Sequence, residues 1–386
     1  MKTYLFVLGR NVALSRAELK NFCDEILVDE KNHLLLAENL KFENPRDLPK
    51  SPEQIFLDRL GGTIRIAEIV DEFFSKEKMA DAIAKIALEN GEEKPKIGVS
   101  AWGTGNRFLP DFLKLLKTKF AAVRFENVGG KNLTSGNIFD RKLLKRGNEF
   151  IVWQRENSFL LAKTCANQNL RNYVLRDRDK PFRDAKMGML PPKLAQILIN
   201  LAAPGKTETV LDPFCGSGTI CSESAIAGFR SVGSDTNSNF LDGAKKNFQF
   251  LAEKFRYNQN SGTFFVREAT EFPFGNYTGV IATEGWLGEN FEKIPTPGQI
   301  AENEKKVVEL WTKFFANLHG KNIRRIALCL PCWRTNSGEK SIAEKIFAKA
   351  KNSGYTPLAL FGAQNTFVYA RDESFVAREI CVLEKK

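Results

Sequence analysis

The chain has 386 residues, long for one core and suited to two or three domains. Hydrophobic residues make up 43% and charged residues 27%, a globular mix that excludes a disordered or fibrous chain. The net charge is +11, and no apolar run approaches the roughly 20 residues of a membrane-spanning helix.

The opening MKTYLFVLGRNVALSRAEL is too briefly apolar for a signal peptide, so a cytoplasmic protein is expected. Residues 3–8 (TYLFVL) read as a strand and Ser15–Phe22 as a capped helix. Strands follow at His33–Ala37 and Thr63–Ile69, making 1–75 a small α+β domain. A second α+β domain spans 76–165. It holds a helix at 78–90, a strand at Lys96–Ala101, a helix at Asp111–Phe120, a strand near Ala122–Phe125, a basic helix near Ile138–Arg146 and a strand at Glu149–Gln154. Residues 166–192 are polar, basic and irregular, a linker. From 193 to 386 a helix at Lys193–Ala202 is followed by strand-like runs at Thr209–Leu211, Arg230–Gly233, Thr263–Arg267, Val280–Thr283, Arg325–Leu330, Thr356–Gly362 and Glu379–Leu383. Helical runs alternate with them, which predicts a mostly parallel α/β sheet; the last two runs, joined by a loop, predict a terminal β-hairpin.

The seven cysteines are scattered, and the one CxxC, Cys329 and Cys332, lies in an apolar run with no second ligand pair. The two histidines, His33 and His319, sit in no catalytic motif. No metal is expected. Positive charge concentrates in residues 101–200, with 19 Lys/Arg against 8 Asp/Glu. Such a band suits a phosphate backbone; Lys142, Lys145, Arg146, Arg171, Arg176, Arg178, Lys180 and Arg183 are its candidate contacts.

The sharpest motif is Val210-Leu211-Asp212-Pro213-Phe214-Cys215-Gly216-Ser217-Gly218-Thr219. A buried strand ends in an acid and turns through glycines into a helix, the place where doubly wound folds bind nucleotides. No lysine follows Gly218 as a phosphate loop requires, and Cys221 stands where a dinucleotide fingerprint has its third glycine. Asp235, followed by Thr236, ends the next strand and suits the two ribose hydroxyls of an adenosyl group. Glu268-Ala269 ends the third strand, beside the expected adenine edge, and Thr283-Glu284-Gly285-Trp286 ends the fourth. An amine acceptor of a methyl group needs hydrogen-bond acceptors to orient it and an aromatic face to hold its base; Glu284 and Trp286 can supply these.

At these residues the chain resembles the THUMP-domain tRNA guanosine N2-methyltransferases, particularly those acting on guanosine ten. The resemblance covers nearly the whole chain: YLFVLGRN and GGTIRIAEI in the first domain, RDRDKPFRDAKMGMLPPKLAQILINLA at 176–202, and DPFCGSGT. It implies a ferredoxin-like domain at 1–75, a THUMP RNA-binding domain at 76–165 and a Rossmann-like methyltransferase domain at 193–386. It also implies S-adenosyl-L-methionine as cofactor, lined by Asp212 to Thr219, Asp235, Thr236, Glu268 and Ala269, with Lys186, Gly188, Met189 and Leu190 beside its methionine end. Catalysis falls to Thr283, Glu284, Gly285 and Trp286, and tRNA is the implied partner. Whether a small activator subunit is needed, as in some relatives, stays open, as does the choice between monomer and homodimer. The family's fourth motif is usually Asp-Pro-Pro-Tyr, in some Thr-Glu-Pro-Tyr; here glycine replaces the proline. That departure keeps a catalytically silent RNA-binding paralogue in view, beside an amino-methyltransferase acting on another RNA or DNA base.

Overall fold

The structure, a computed structural model, describes residues 2–41, 50–89, 91, 94–127, 129–184, 189–360, 364–370 and 374–386. Two compact units divide the chain, Met1–Asn172 and Tyr173–Lys386.

The first unit runs β1 (Tyr4–Leu8), α1 (Val12–Leu19), β2 (Asp24–Asp29), β3 (Leu34–Glu38), α2 (Pro52–Arg59), β4 (Thr63–Phe73), α3 (Lys76–Leu88), β5 (Lys96–Trp102), α4 (Phe108–Lys117), β6 (Arg124–Phe125), α5 (Ser135–Asp140), α6 (Leu143–Arg146), β7 (Asn148–Gln154) and β8 (Phe159–Asn167). All eight strands form one sheet, ordered β2-β3-β1-β4-β8-β7-β5-β6. Side chains alternate across it: Tyr4, Phe6 and Leu8 pack with Phe56 and Leu60, whereas Leu5 and Val7 pack with Trp153 and Leu160. The expected boundary at 75/76 falls within this sheet, because β4 pairs with β8 from Arg65↔Asn167 to Phe73↔Phe159.

Several local expectations need correction. Ser15 is not a helix cap: α1 starts earlier, Asn11 is its N-cap, and the Ser15 hydroxyl donates to the Asn11 carbonyl. The basic helix near Ile138–Arg146 is two short helices, broken at Lys142, whose φ of 56° is left-handed. The linker at 166–192 contains a helix, α7 (Leu170–Asp177), which carries the division between the units.

The second unit continues with α8 (Pro192–Ala202), β9 (Thr209–Asp212), α9 (Thr219–Ile226), β10 (Arg230–Asp235), α10 (Ser238–Phe255), β11 (Gly262–Val266), β12 (Gly279–Thr283), α11 (Pro297–Leu318), β13 (Ile323–Thr335), β14 (Gly338–Lys340), α12 (Ala343–Lys351), β15 (Tyr355–Pro357), β16 (Thr366–Tyr369) and β17 (Val376–Lys385). Its sheet is ordered β11-β10-β9-β12-β13-β17-β15, with β14 and β16 as side strands. The first five strands are parallel, and β17 runs antiparallel between β13 and β15. Leu211, Ile281, Ile326 and Leu328 build the core with Val307, Trp311 and Phe314 of α11 and Ile346 of α12. The terminal hairpin is present, but a further strand takes part in it: β16 lies between the two expected runs and pairs with β17. The chain reverses its winding direction at β9, which has β10 on one side and β12 on the other. A crevice at the carboxyl ends of strands follows from that reversal.

Candidate functional site

The crevice is a cavity of about 1160 Å³. It gathers the carboxyl ends of β9, β10, β11 and β12, so four motifs separated by up to 71 residues meet in one place. From the expected set it is lined by Met189, Leu190, Asp212 to Ser217, Thr219, Asp235, Thr236, Glu268, Ala269, Glu284, Gly285 and Trp286. Gly218 and Thr283 stand behind this lining. Lys186 and Gly188 lie outside the described residues.

The glycine-rich turn shapes the floor. Gly216 and Gly218 have φ of 48° and 78°, a region that disfavours a side chain. Gly218 is also the N-cap of α9, and a Cβ there would stand 2.9 Å from the Ala244 Cβ. The turn is held from the next strand, where Asp235 Oδ2 accepts from the Gly216 N–H at 3.0 Å and Oδ1 accepts from the Asn237 N–H at 3.0 Å. Each oxygen keeps a further lone pair for a ligand hydroxyl.

Asp212 is a strongly perturbed acid of the site. It is 2% exposed and accepts from the Thr283 hydroxyl at 2.7 Å and the Phe214 N–H at 3.3 Å. Burial raises its pKa to about 7; the two hydrogen bonds oppose the rise, and the charges of Asp235 and Glu284 add to it. Thr283 itself is fully buried and its hydroxyl is spent on Asp212, away from the cavity wall.

At the end of β12, Glu284 is ion-paired with Arg378 of β17, whose Nε donates to Glu284 Oε1. Arg378 lines the same cavity and was not among the expected site residues. Its signal was present, a lone arginine inside the apolar run VAREICVL, but nothing in the spacing tied residue 378 to residue 284. Gly285 has φ of 73°, and a Cβ there would meet Trp311 at 2.7 Å. Proline, fixed near −65°, cannot take that conformation. The backbone path at 285 is therefore one that proline could not follow. Trp286 follows at 37% exposure, and Phe214 backs the cavity against Trp311 with ring centres 5.5 Å apart.

The basic candidates separate into two groups. Lys142, Lys145, Arg171, Arg178 and Arg183 are exposed, and Arg171 pairs with Asp140 at 3.3 Å. Arg146 ends α6. Arg176 and Lys180 are corrections. Arg176 is buried against Glu223 at 2.7 Å, and Lys180 is buried with its ammonium 3.3 Å from the Thr219 hydroxyl. They tie the segment before α8 to α9 and are closed to a surface polyanion. Among the described residues no cluster of metal-ligating side chains occurs, and no helix is long and apolar enough to cross a membrane.

Residues 181–270 match the family model described as RMKL-like, methyltransferase domain. Over 92 residues the chain is 39% identical to the tRNA (guanine(10)-N2)-dimethyltransferase of Methanothermobacter thermautotrophicus, covering 24% of this chain and 27% of that one. Over 139 residues it is 26% identical to the protein of the same name from Methanocaldococcus jannaschii, covering 36% of each. These curated relatives are therefore matched over only about a quarter to a third of their length. The crystal structure of TrmN from Thermus thermophilus aligns over 100% of both chains with a TM-score of 0.50 at 16% identity, a likeness of fold. The second unit has a Rossmann-like fold, and residues 181–270 within it are similar to an RMKL-like methyltransferase domain.

Proposed function

We propose that the chain is an S-adenosylmethionine-dependent RNA methyltransferase that modifies the exocyclic N2 amine of a guanosine in tRNA, guanosine 10 being the expected position. The observation that carries this reading is the single cavity joining the acids at the ends of β9, β10 and β11 to Glu284 and Trp286 after β12. The names of the Methanothermobacter and Methanocaldococcus relatives support the substrate.

The residues suit the cofactor. Gly216 and Gly218 give a turn that ligand atoms can approach closely; Asp235 and Thr236 would hold the ribose, Glu268 and Ala269 the adenine, and Met189 and Leu190 the methionine end. S-adenosylmethionine, when bound, supplies an activated methyl group on a positively charged sulfur. Asp212, whose carboxyl has its pKa raised to about 7, would offer that positive charge a counter-ion once ionised. Glu284 accepts a hydrogen bond from the guanine amine, turning it toward the methyl donor, and Trp286 holds the base plane by stacking. Orientation supplies the acceleration, and no metal or covalent enzyme adduct is required.

The first unit, read as a ferredoxin-like domain at 1–75 and a THUMP domain at 76–165, would grip the tRNA. Lys142, Lys145, Arg171, Arg178 and Arg183 are the exposed cations proposed to meet phosphates. A cytoplasmic location is proposed together with that substrate. A silent RNA-binding paralogue is the second reading, favoured by the glycine path at 285. Unmodified tRNA incubated with the protein and methyl-labelled cofactor separates the two. N2-methylated guanosine is expected; tRNA binding with no labelled nucleoside would establish the second reading instead.

A further inference from the structure

We propose that Arg378 reads the O6 edge of the guanine whose amine Glu284 orients, so that this ion pair selects the base as well as holding it; the inference rests on the guanosine reading above. Arg378 sits in β17 opposite Pro331 of β13 and Tyr369 of β16, so its backbone is fixed from both sides. Its side chain is 10% exposed and lines the cavity that also holds Glu284 and Trp286. One donor, Nε, is used on Glu284. Among the described residues neither Nη group has a protein acceptor, and neither is sealed away from solvent. A guanidinium has five N–H donors in a rigid plane, so two forked groups remain to face the cavity.

The order of groups along this wall is a carboxylate followed by a guanidinium. The Watson–Crick edge of guanine presents, in order, the N2 amine, the N1–H and the O6 acceptor. Two donors then meet the carboxylate and the acceptor meets the guanidinium. Adenine offers an acceptor at N1 and a donor at its amine, which sets like against like at both places. A buried charged donor left without an acceptor is penalised, and this is the source of selectivity in such sites. The same pairing gives Arg378 a positioning role, because it limits the carboxylate to one rotamer before the base arrives.

The test compares methyl transfer to two tRNAs, one unmodified and one with the methylated guanosine replaced by 2-aminopurine, which keeps the N2 amine but lacks O6. Wild-type protein, R378K and R378Q are measured as kcat/KM on both, and S-adenosylhomocysteine affinity checks that each variant is folded. Lysine keeps a cation beside Glu284 but is a point donor that cannot fork to both partners. The lost contact between N1 and Glu284 is common to all three proteins, so a change in the guanosine-to-2-aminopurine ratio reports Arg378. Wild type is expected to favour guanosine by at least about tenfold, and both variants to lose about 10- to 100-fold of that preference, the range of one charged hydrogen bond. Loss of the fixed Glu284 rotamer lowers both rates, and the fall should be about 10- to 100-fold larger on guanosine than on 2-aminopurine. A wild-type enzyme indifferent to the replacement would overturn the proposal without recourse to any variant. So would a variant that keeps the wild-type ratio. If no tRNA nucleoside is labelled by the wild type, the guanosine reading itself fails, a result distinct from labelling without preference.

Discussion

The Thr283 hydroxyl donates to Asp212 Oδ1 at 2.7 Å, tying the carboxyl end of β12 to that of β9 across 71 positions of sequence. The bond joins the loop expected to hold the cofactor to the loop expected to hold the amine. Both residues are buried, and its loss leaves Asp212 with only the longer bond from the Phe214 N–H, 3.3 Å, among the hydrogen bonds described for it. Thr283→Val keeps the shape and removes the donor. We expect a destabilisation of about 1–3 kcal/mol in urea unfolding together with weaker S-adenosylhomocysteine binding. Unchanged values for both would show that the bond contributes nothing to the site.

The raised pKa of Asp212, about 7, makes a signed prediction. In the unfolded chain this carboxyl titrates near 3.8, so between the two values the folded protein binds the extra proton. Its contribution to stability is complete below pH 4 and is lost as the pH rises toward and through 7. Asp212→Asn cannot ionise. The stability of wild type relative to this variant should therefore fall between pH 4 and pH 8, by up to about 4 kcal/mol at 1.36 kcal/mol per unit. A flat or rising difference would show that the carboxyl titrates normally. A positively charged ligand favours the ionised form. The affinity for S-adenosylmethionine relative to the uncharged thioether S-adenosylhomocysteine should accordingly increase as the pH passes 7.

How much of this was open to sequence reading depends on the range of the interaction. The order of strands and helices from 193 onward was readable, because alternating apolar runs and glycine turns are local signals. The loops at Asp212, Asp235, Glu268 and Glu284 were readable for the same reason: each closes a strand, and strand ends of a doubly wound sheet converge. The strands β2 and β8 escaped notice. β2 is largely exposed, with the pattern DEILVD, and its place follows from pairing with β3. β8 takes its place from β4, roughly a hundred residues earlier. The burial of Arg176 and Lys180 was unreadable for a related reason. In RDRDK each cation looks like its neighbours, and only the position of Glu223 and Thr219 in three dimensions separates the buried two from the exposed ones.

That separation predicts two opposite phenotypes within one basic stretch. Arg176→Ala leaves Glu223 buried without its cation and should cost about 3–5 kcal/mol in unfolding free energy. Arg178→Ala and Lys145→Ala remove exposed charges and should leave stability within about 0.5 kcal/mol. If those cations meet tRNA phosphates, each replacement should weaken binding and lower the slope of log K against log salt by roughly 0.7–0.9. A stable Arg176→Ala protein with reduced salt dependence would reverse the assignment.

The last prediction concerns the residue that departs from the family motif. Gly285 holds φ at 73°, and the space its missing Cβ leaves is occupied by the Trp311 ring, 2.7 Å from where that atom would lie. Two costs then add for Gly285→Ala: the left-handed backbone, about 1 kcal/mol or more for an L side chain, and the displacement of a fully buried tryptophan. Gly285→Pro, which restores the family's usual residue, is worse, since its ring fixes φ on the opposite side of zero. We expect Gly285→Ala to lose about 1–3 kcal/mol and Gly285→Pro to lose more, with methyl transfer reduced in both because Glu284 and Trp286 flank the turn. Pairing Gly285→Ala with Trp311→Phe tests the cause. The smaller ring relieves the clash but not the backbone, so the double variant should recover part of the loss relative to Trp311→Phe alone. Full additivity of the two single effects would mean that Trp311 does not dictate the turn, and that the glycine is retained for its backbone alone.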